Sequence, residues 1–345
     1  MQNRQKILII SDFLDASFHG KTSRMIIDDF RRFIDVKCFQ LQHSNLQIPD
    51  ITPYEHLLVK NISEDDYDGI FVMCDLSRLW ANEKFTYLYR NLTKPTEHNI
   101  DKLNKCKLIV SYSDENIKDV IKNNITYLPS TFMIPFGYTP EDPYYFYTII
   151  GRNDIEDHIA ETIISFLYSF TSKDRVSFRV YTNGVNPDQI QKDVQNILSS
   201  SCLVIKSDLP NIEFDNNRYN DDQFRHMYSR NHCYVGIDYN GEFNPYLYEC
   251  AVLGKPIIYN LSPLGKKYWA DYFKEGSVNT FEDIGLHITK IAITNNNKEI
   301  EWCTSLLEIS KTMQYIYIDK IQEINFDWAK YDNTEGIINA VCSTS

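Results

Sequence analysis

Three side chains that could do chemistry follow short apolar stretches of this sequence. Asp114 follows one of them, and a carboxylate at the end of a strand can act as a general base. Asp114 could equally cap the next helix, because Asp is a favoured N-cap residue. Arg152 follows the second stretch, and its guanidinium suits bidentate binding of a phosphate. Glu249 follows the third, one helical turn beyond a polar turn.

The elements around Glu249 predict where a ligand would bind. The sequence predicts a buried strand at 233–237, a helix at 245–253 and a second strand at 256–259. Pro245 at the start of the helix and Gly254 just past its end are typical of helix termini. A strand, a helix and a strand in so few residues indicate a βαβ unit of a parallel sheet. Because ligands of such sheets lie at the carboxyl ends of strands and against helix N-termini, the site is expected at the turn 239–245.

Strand and helix periodicities alternate along the whole chain and predict an α/β protein. A length of 345 residues favours two domains over one. A stretch rich in proline at 127–144 suits the connection between them. The other predicted strands lie at 6–10, 36–39, 68–73, 106–110, 146–150, 176–181 and 211–214. The other predicted helices lie at 23–33, 159–170 and 221–228.

The composition is that of a soluble globular protein. Hydrophobic residues make up 43% and charged residues 24% of the chain. No apolar run approaches the roughly 18 residues that span a bilayer, and the apolar part of the N-terminus is too short for a signal peptide. The eight cysteines form no C-x-x-C pair, and several lie in apolar stretches. We therefore expect a cytoplasmic protein with buried, reduced thiols rather than disulfides or a zinc site.

The net charge of −12 argues against a general nucleic-acid binder, since such binding depends on neutralising phosphates. The stretch 77–105 is an exception, because basic residues alternate with aromatic ones there. Arg78, Trp80, Lys84 and Arg90 could hold phosphates and stack on bases. The alternative is an amphipathic helix whose aromatic face packs into the core.

The stretch around Glu249 resembles the donor-site signature of the GT-B glycosyltransferases, and most closely that of their retaining family 4. The matching residues are Phe243, Glu249, Ala251, Gly254, Pro256, Ile257 and Ile258. In this resemblance Glu249 takes the place of the second glutamate of the signature, which accepts hydrogen bonds from the ribose hydroxyls of the nucleotide. The first glutamate falls on Gly241, with Glu242 beside it.

The same resemblance implies a set of donor-binding residues. Arg152 matches the arginine that binds the diphosphate, while the lysine expected about six residues later is Asp157, so Lys255 or Lys266 would replace it. Gly20 matches a glycine loop that faces the cleft. The complete donor-binding set is Gly20, Arg152, Glu242, Phe243, Asn244, Glu249 and Lys255.

The GT-B fold implied by the resemblance has two Rossmann-like domains with parallel sheets that face a central cleft. The acceptor domain would span 1–140 and the nucleotide-sugar domain 141–325. A C-terminal helix at 326–345, which contains Trp328, would cross back to the first domain.

The activity implied is transfer of a sugar from a nucleotide-sugar co-substrate, a UDP-sugar, with no obligatory cofactor or metal. The layout is also similar to that of phage glucosyltransferases that modify hydroxymethylated bases, in which Asp114 would match the general base. Double-stranded DNA carrying a hydroxymethylated base is therefore the first expected acceptor, with Arg78, Trp80, Lys84 and Arg90 as its contacts. The alternatives are a cell-envelope glycan or lipid-linked sugar as acceptor, and a nucleotide-sugar-binding protein that has lost catalysis.

Overall fold

The computed structural model contains two parallel β-sheets with helices packed against them, which confirms the predicted α/β class. The chain divides into two compact units, one formed by Met1–Phe132 with Trp328–Ser345 and the other by Met133–Asp327. The structure describes residues 5–41, 47–90, 95–112, 117–126, 141–150, 159–184, 186–200, 207–237, 244–253, 255–260, 313–314 and 334–343.

Unit 1 contains a six-stranded sheet in which every pair of neighbouring strands is parallel. Its strands are β1 Lys6–Ser11, β2 Asp35–Gln40, β3 Gly69–Met73, β4 Phe85–Tyr89, β5 Leu108–Ser111 and β6 Asn124–Thr126. Their order is β2-β1-β3-β4-β5-β6. Strands such as β1 are almost continuously apolar and buried, as expected where both faces of a parallel sheet are covered.

The helices of unit 1 within the described residues are α1 Phe18–Phe30, α2 Thr52–Glu55, α3 Glu97–Leu103 and α8 Thr334–Cys342. Helix α1 begins five residues earlier than the predicted 23–33, because the hydroxyl of Ser17 accepts a hydrogen bond from the Gly20 N–H at 3.3 Å and caps the helix. Helix α8 packs against β3 and α1. There the Thr334 hydroxyl donates to Asp29 at 2.6 Å, and Lys107 donates to the Val341 carbonyl at 2.9 Å.

Unit 2 contains a five-stranded parallel sheet in the order β11-β10-β7-β8-β9. Its strands are β7 Tyr144–Ile149, β8 Val176–Tyr181, β9 Asn211–Asp215, β10 Cys233–Ile237 and β11 Ile257–Asn260. Its helices are α4 Ile159–Ser169, α5 Pro187–Ser200, α6 Asp221–Arg230 and α7 Pro245–Val252. One face of the sheet packs with α4 into a core centred on Phe146, Phe166 and Phe178.

The predicted strand, helix and strand around Glu249 are confirmed as β10, α7 and β11, with β10 and β11 paired in parallel. The alternative of one amphipathic helix within 77–105 is wrong. That stretch contains the end of a 3₁₀ turn at Leu76–Arg78, then strand β4 and helix α3. The aromatic side chains of β4, at 85, 87 and 89, lie on one face of the strand and are buried, so Tyr87 and Tyr89 cannot stack on an external base.

Six cysteines in the described residues are free and buried, as expected: Cys38, Cys74, Cys106, Cys233, Cys250 and Cys342. Cys202 and Cys303 lie outside the described residues. Among the helices that the structure describes, none combines the length and apolar character needed to cross a membrane.

Candidate active site

Glu249 lies on α7, the helix that follows β10 in unit 2. Strands β7 and β10 are neighbours in the sheet although β8 and β9 come between them in sequence, so the sheet order reverses at this pair. In open parallel sheets, ligands bind at the carboxyl edge of such a switch point. Near the start of α7, the side-chain oxygen of Asn244 accepts the Tyr246 N–H at 3.1 Å, as a helix cap does.

The Glu249 carboxylate is held by a tyrosine from the neighbouring helix α6. Its Oε2 accepts a hydrogen bond of 2.6 Å from the hydroxyl of Tyr228. Glu249 is 3% exposed and Tyr228 is fully buried. Burial first, and then the negative charge of Glu249, raises the pKa of Tyr228 well above its usual value, so the phenol stays a donor. A carboxylate fixed in this way can accept further hydrogen bonds from ligand hydroxyls.

The core beneath α7 consists of tyrosines that make polar contacts. The Tyr147 hydroxyl lies 3.0 Å from the Cys250 sulfur, and Tyr147 and Tyr234 meet edge to face with ring centroids 5.4 Å apart. Asn244 donates to the Tyr234 hydroxyl at 3.4 Å. These contacts attach α7 to β7 and β10.

Lys255 does not lie where a diphosphate would bind, and its prediction as a donor-binding residue is wrong. It comes just before β11, at the amino edge of a sheet whose ligand edge is the carboxyl one. Its ammonium group is buried and donates to the Asn231 carbonyl at 3.1 Å. Burial lowers the pKa of Lys255 to about 8.

Four predicted site residues lie outside the described residues, and their roles stay predictions: Asp114, Arg152, Glu242 and Phe243. Gly20 is described, and it lies in the first turn of α1. A Cβ atom at Gly20 would come within 1.9 Å of the Asp15 carbonyl oxygen, so only glycine fits beside the loop that follows β1. This close approach gives Gly20 a packing role, whereas its contact with the donor stays a prediction.

The structure does not bring the four predicted acceptor contacts into one basic surface. Lys84 lies before β4 and Arg90 directly after it, at opposite edges of the unit 1 sheet. Trp80 is 43% exposed and packs edge to face on Phe85. Each cation has a carboxylate partner: Arg78 with Asp12 at 2.9 Å, Lys84 with Asp65 at 3.1 Å and Arg90 with Asp75 at 3.0 Å.

Asp12 and Asp75 are polar groups at the carboxyl edge of unit 1 that the sequence reasoning did not single out. Asp12 follows β1 directly, and Asp75 lies two residues after the end of β3. Their position in the sequence could have indicated them, because each aspartate follows a strongly apolar run. Among the described residues, no group of three or more His, Cys, Asp or Glu side chains could hold a metal ion.

A groove of about 720 Å³ lies beside α6 in unit 2 and is lined by Arg179 and Glu213 among others. Arg179 donates to Glu213 at 2.9 Å and to Glu141 at 3.3 Å, and its guanidinium lies 3.9 Å from the ring centroid of Tyr145. Arg230 lies 3.9 Å from Glu141, so each of these carboxylates has a cationic partner within the chain and the groove has the character of a solvated ion-pair network.

No family model and no curated protein matches this sequence. Solved structures do. A glycosyltransferase from Rickettsia africae matches with a TM-score of 0.58 at 12% identity, over 99% of this chain and 100% of that one. WaaG, a glycosyltransferase involved in lipopolysaccharide biosynthesis, matches with a TM-score of 0.51 at 10% identity, over 98% of this chain and 100% of that one.

The pneumococcal O-GlcNAc transferase GtfA, solved in complex with UDP and GlcNAc, matches with a TM-score of 0.52 at 11% identity. That match covers 79% of this chain and 53% of the other. At these identities the likeness concerns the fold, and it agrees with the two parallel sheets described above. The chain therefore has the fold of the GT-B glycosyltransferases.

Proposed function

We propose that this protein is a glycosyltransferase that moves a sugar from a UDP-sugar to an acceptor hydroxyl. The observation that carries the proposal is Glu249, a buried carboxylate near the carboxyl edge of the unit 2 switch point, held by Tyr228. The GT-B fold supports the proposal, and so does a neighbour of the same fold that was solved with UDP and GlcNAc.

In the proposed complex, Glu249 accepts hydrogen bonds from the ribose diol of the nucleotide. Arg152 binds the diphosphate, because a guanidinium can pair with two phosphate oxygens at once. Residues 141–325 would form the donor domain and 1–140 the acceptor domain, with 326–345 returning to the latter. Asp114 would orient or deprotonate the acceptor hydroxyl.

The proposal includes two candidate acceptors. Double-stranded DNA with a hydroxymethylated base is supported by the exposed indole of Trp80, which could stack on a base. A cell-envelope glycan or lipid-linked sugar is supported by the fold neighbour involved in lipopolysaccharide biosynthesis. The ion pairs of Arg78, Lys84 and Arg90 favour the glycan, because a phosphate would have to compete with a carboxylate for each cation.

Incubation of the protein with a panel of nucleotide sugars, followed by mass spectrometry, tests the donor. We expect slow hydrolysis of a UDP-sugar, since water can replace the acceptor. Adding labelled donor to hydroxymethylated DNA, plain DNA and an oligosaccharide panel then tests the acceptor. UDP binding without hydrolysis or transfer would leave the catalytically inactive binding protein, and no binding of any nucleotide would reject the proposal.

A further inference from the structure

The unit 1 sheet has its own switch point, between β1 and β3. These strands are neighbours, yet β1 leads to β2 on one side while β3 leads to β4 on the other. A crevice at the carboxyl edge of such a pair is the usual ligand position in an open parallel sheet. Asp12 follows β1 there, and the loop after β3 carries Asp75 and Arg78.

Five polar side chains of unit 1 converge at this edge, and we call them the switch-point cluster: Asp12, His19, Asp75, Arg78 and Arg90. Arg78 pairs with Asp12 at 2.9 Å and Arg90 with Asp75 at 3.0 Å. The Nδ1 atom of His19 lies 3.9 Å from Asp75. Because the four charged members lie near Cys74, their charges act on the pKa of its thiol, which burial raises to about 11.

Buried side chains donate hydrogen bonds to the two loops that carry the cluster and stabilise them. Arg24, which is 1% exposed, donates to the carbonyls of Phe13 and Asp15 at 2.8 and 2.7 Å in the loop after β1. In the loop after β3, the Tyr87 hydroxyl donates to the Cys74 carbonyl at 2.8 Å. Such support holds a binding group in place before the ligand arrives, which lowers the entropy lost on binding.

Two oxygen atoms at the end of β1 need hydrogen bonds that the described part of the chain does not give them. They are the Oγ of Ser11 and the Oδ1 of Asp12, and both are buried. Burial also raises the pKa of Asp12, in opposition to the positive charge of Arg78. A buried acceptor without a donor costs free energy that a ligand hydroxyl would recover.

We propose that the switch-point cluster binds the acceptor as an uncharged saccharide. The inference rests on the proposed glycosyltransferase function and narrows its acceptor. Two carboxylates and two guanidinium groups cancel in charge, so the cluster has no net attraction for a phosphate backbone. Carboxylates accept hydrogen bonds and guanidinium groups donate them. Neighbouring sugar hydroxyls can do both, so they can pair with carboxylates and guanidinium groups that alternate in the cluster.

The test is binding of labelled neutral oligosaccharides of glucose, galactose and mannose on an array, without donor, followed by titration of the best binder. We expect Asp12→Asn and Arg78→Gln each to weaken that binding about tenfold or more, as loss of a charged hydrogen bond does. Arg31→Gln is the matched control, because Arg31 forms an exposed pair with Asp28 at 3.4 Å in the same unit. The control should bind as the wild type does.

Asp75→Asn provides a second acidic variant should Asp12→Asn fail to fold, and thermal unfolding of each variant shows which case applies. Affinity for the saccharide should change less than about twofold between 50 and 500 mM salt, since no counterions are released. Unchanged binding by folded variants, no binding to any saccharide, or salt-sensitive binding to hydroxymethylated DNA would overturn the inference. Donor hydrolysis by the wild type is scored separately, so the inference can fail while the proposed function stands.

Discussion

Glu249 and Tyr228 come from different helices and meet where little solvent reaches. Tyr228 lies 21 residues before Glu249, and a bond of 2.6 Å joins the phenol to the carboxylate. Part of the hydrogen-bonding capacity of the carboxylate is therefore satisfied within the protein, and its direction is set. Nothing in the spacing of the two residues indicates this pair, because it depends on how α6 and α7 lie on the same face of the sheet.

The pair predicts how nucleotide affinity responds to substitution. Glu249→Gln should weaken UDP binding more than tenfold, because a charged hydrogen bond contributes about 1.5–3 kcal/mol. Tyr228→Phe should weaken it about two- to tenfold by releasing the carboxylate. Neither change should affect the affinity for 2′,3′-dideoxy-UDP, because this analogue lacks the ribose diol. Calorimetry with both ligands checks this.

Tyr147→Phe is the matched control for Tyr228→Phe, since Tyr147 is also a buried tyrosine beneath α7 but meets Cys250 instead of Glu249. It should leave UDP affinity unchanged. Equal losses for UDP and the dideoxy analogue in folded variants would remove Glu249 from the ribose site.

We expect the free energy of unfolding to fall in acid because of His232. Its Nδ1 accepts the Tyr145 N–H at 3.0 Å, and protonation of that nitrogen would break the bond. Burial first, and then the charge of Lys255, lowers the pKa of His232 from 6.5 to about 4, while Asp142 acts in the opposite direction. The unfolded chain therefore binds more protons between these values, and the free energy of unfolding should fall as the pH drops from about 6.5 to about 4.

Urea denaturation at several pH values measures this dependence. His232→Asn keeps an acceptor near the Nδ1 position but does not titrate, so its unfolding free energy should fall less steeply over the same range. Identical slopes for the wild type and this variant would assign the acid sensitivity to other groups.

At the scale of elements, the strand, helix and strand around Glu249 could be predicted because Pro245 and Gly254 mark the ends of the helix. Strand β4 could not, because basic residues surround it and both of its faces are buried, so Leu88 interrupts the alternation of apolar and polar residues that marks a half-buried strand. The ion pair of Arg78 with Asp12 joins residues 66 positions apart. The sequence alone predicts a free positive charge at Arg78, because it does not show that Asp12 lies beside it.

The contact between β3 and α8 depends on a residue without a side chain. A Cβ atom at Gly69 would lie 2.7 Å from Val341 Cγ1 and 2.8 Å from the Val341 carbonyl oxygen. Gly69→Ala should therefore separate the two elements and destabilise unit 1 by about 1–3 kcal/mol, as overpacking does. Chemical denaturation measures the change.

Gly336→Ala is the control within the same helix. A Cβ atom there would have no neighbour within 4 Å, so the change should stabilise α8 by about 0.5–1 kcal/mol through helix propensity. If Gly69→Ala were neutral, the approach of α8 to β3 would be looser than described.

At the scale of the whole molecule, the two units differ in how the chain forms them. Unit 2 is one continuous segment, whereas unit 1 combines Met1–Phe132 with Trp328–Ser345. The β-strands of both units pair in parallel, so each strand pairing closes a long connection and the folding of either unit requires distant contacts. Length and periodicity predict two domains, whereas the packing of α8 against β3 could not be predicted, because it depends on contacts between distant parts of the chain.

This division has a consequence for biosynthesis. Thr334 meets Asp29 across 305 residues of chain, so a ribosome adding roughly 5–20 residues per second reaches Thr334 about 15–60 s after Asp29. All of Met133–Asp327 is translated in that interval. The second unit is therefore fully translated while the first still exposes to solvent the apolar surface that α8 will cover. A nascent chain with such a surface is a typical client for chaperones, and we expect the first unit to finish folding only when translation of α8 ends.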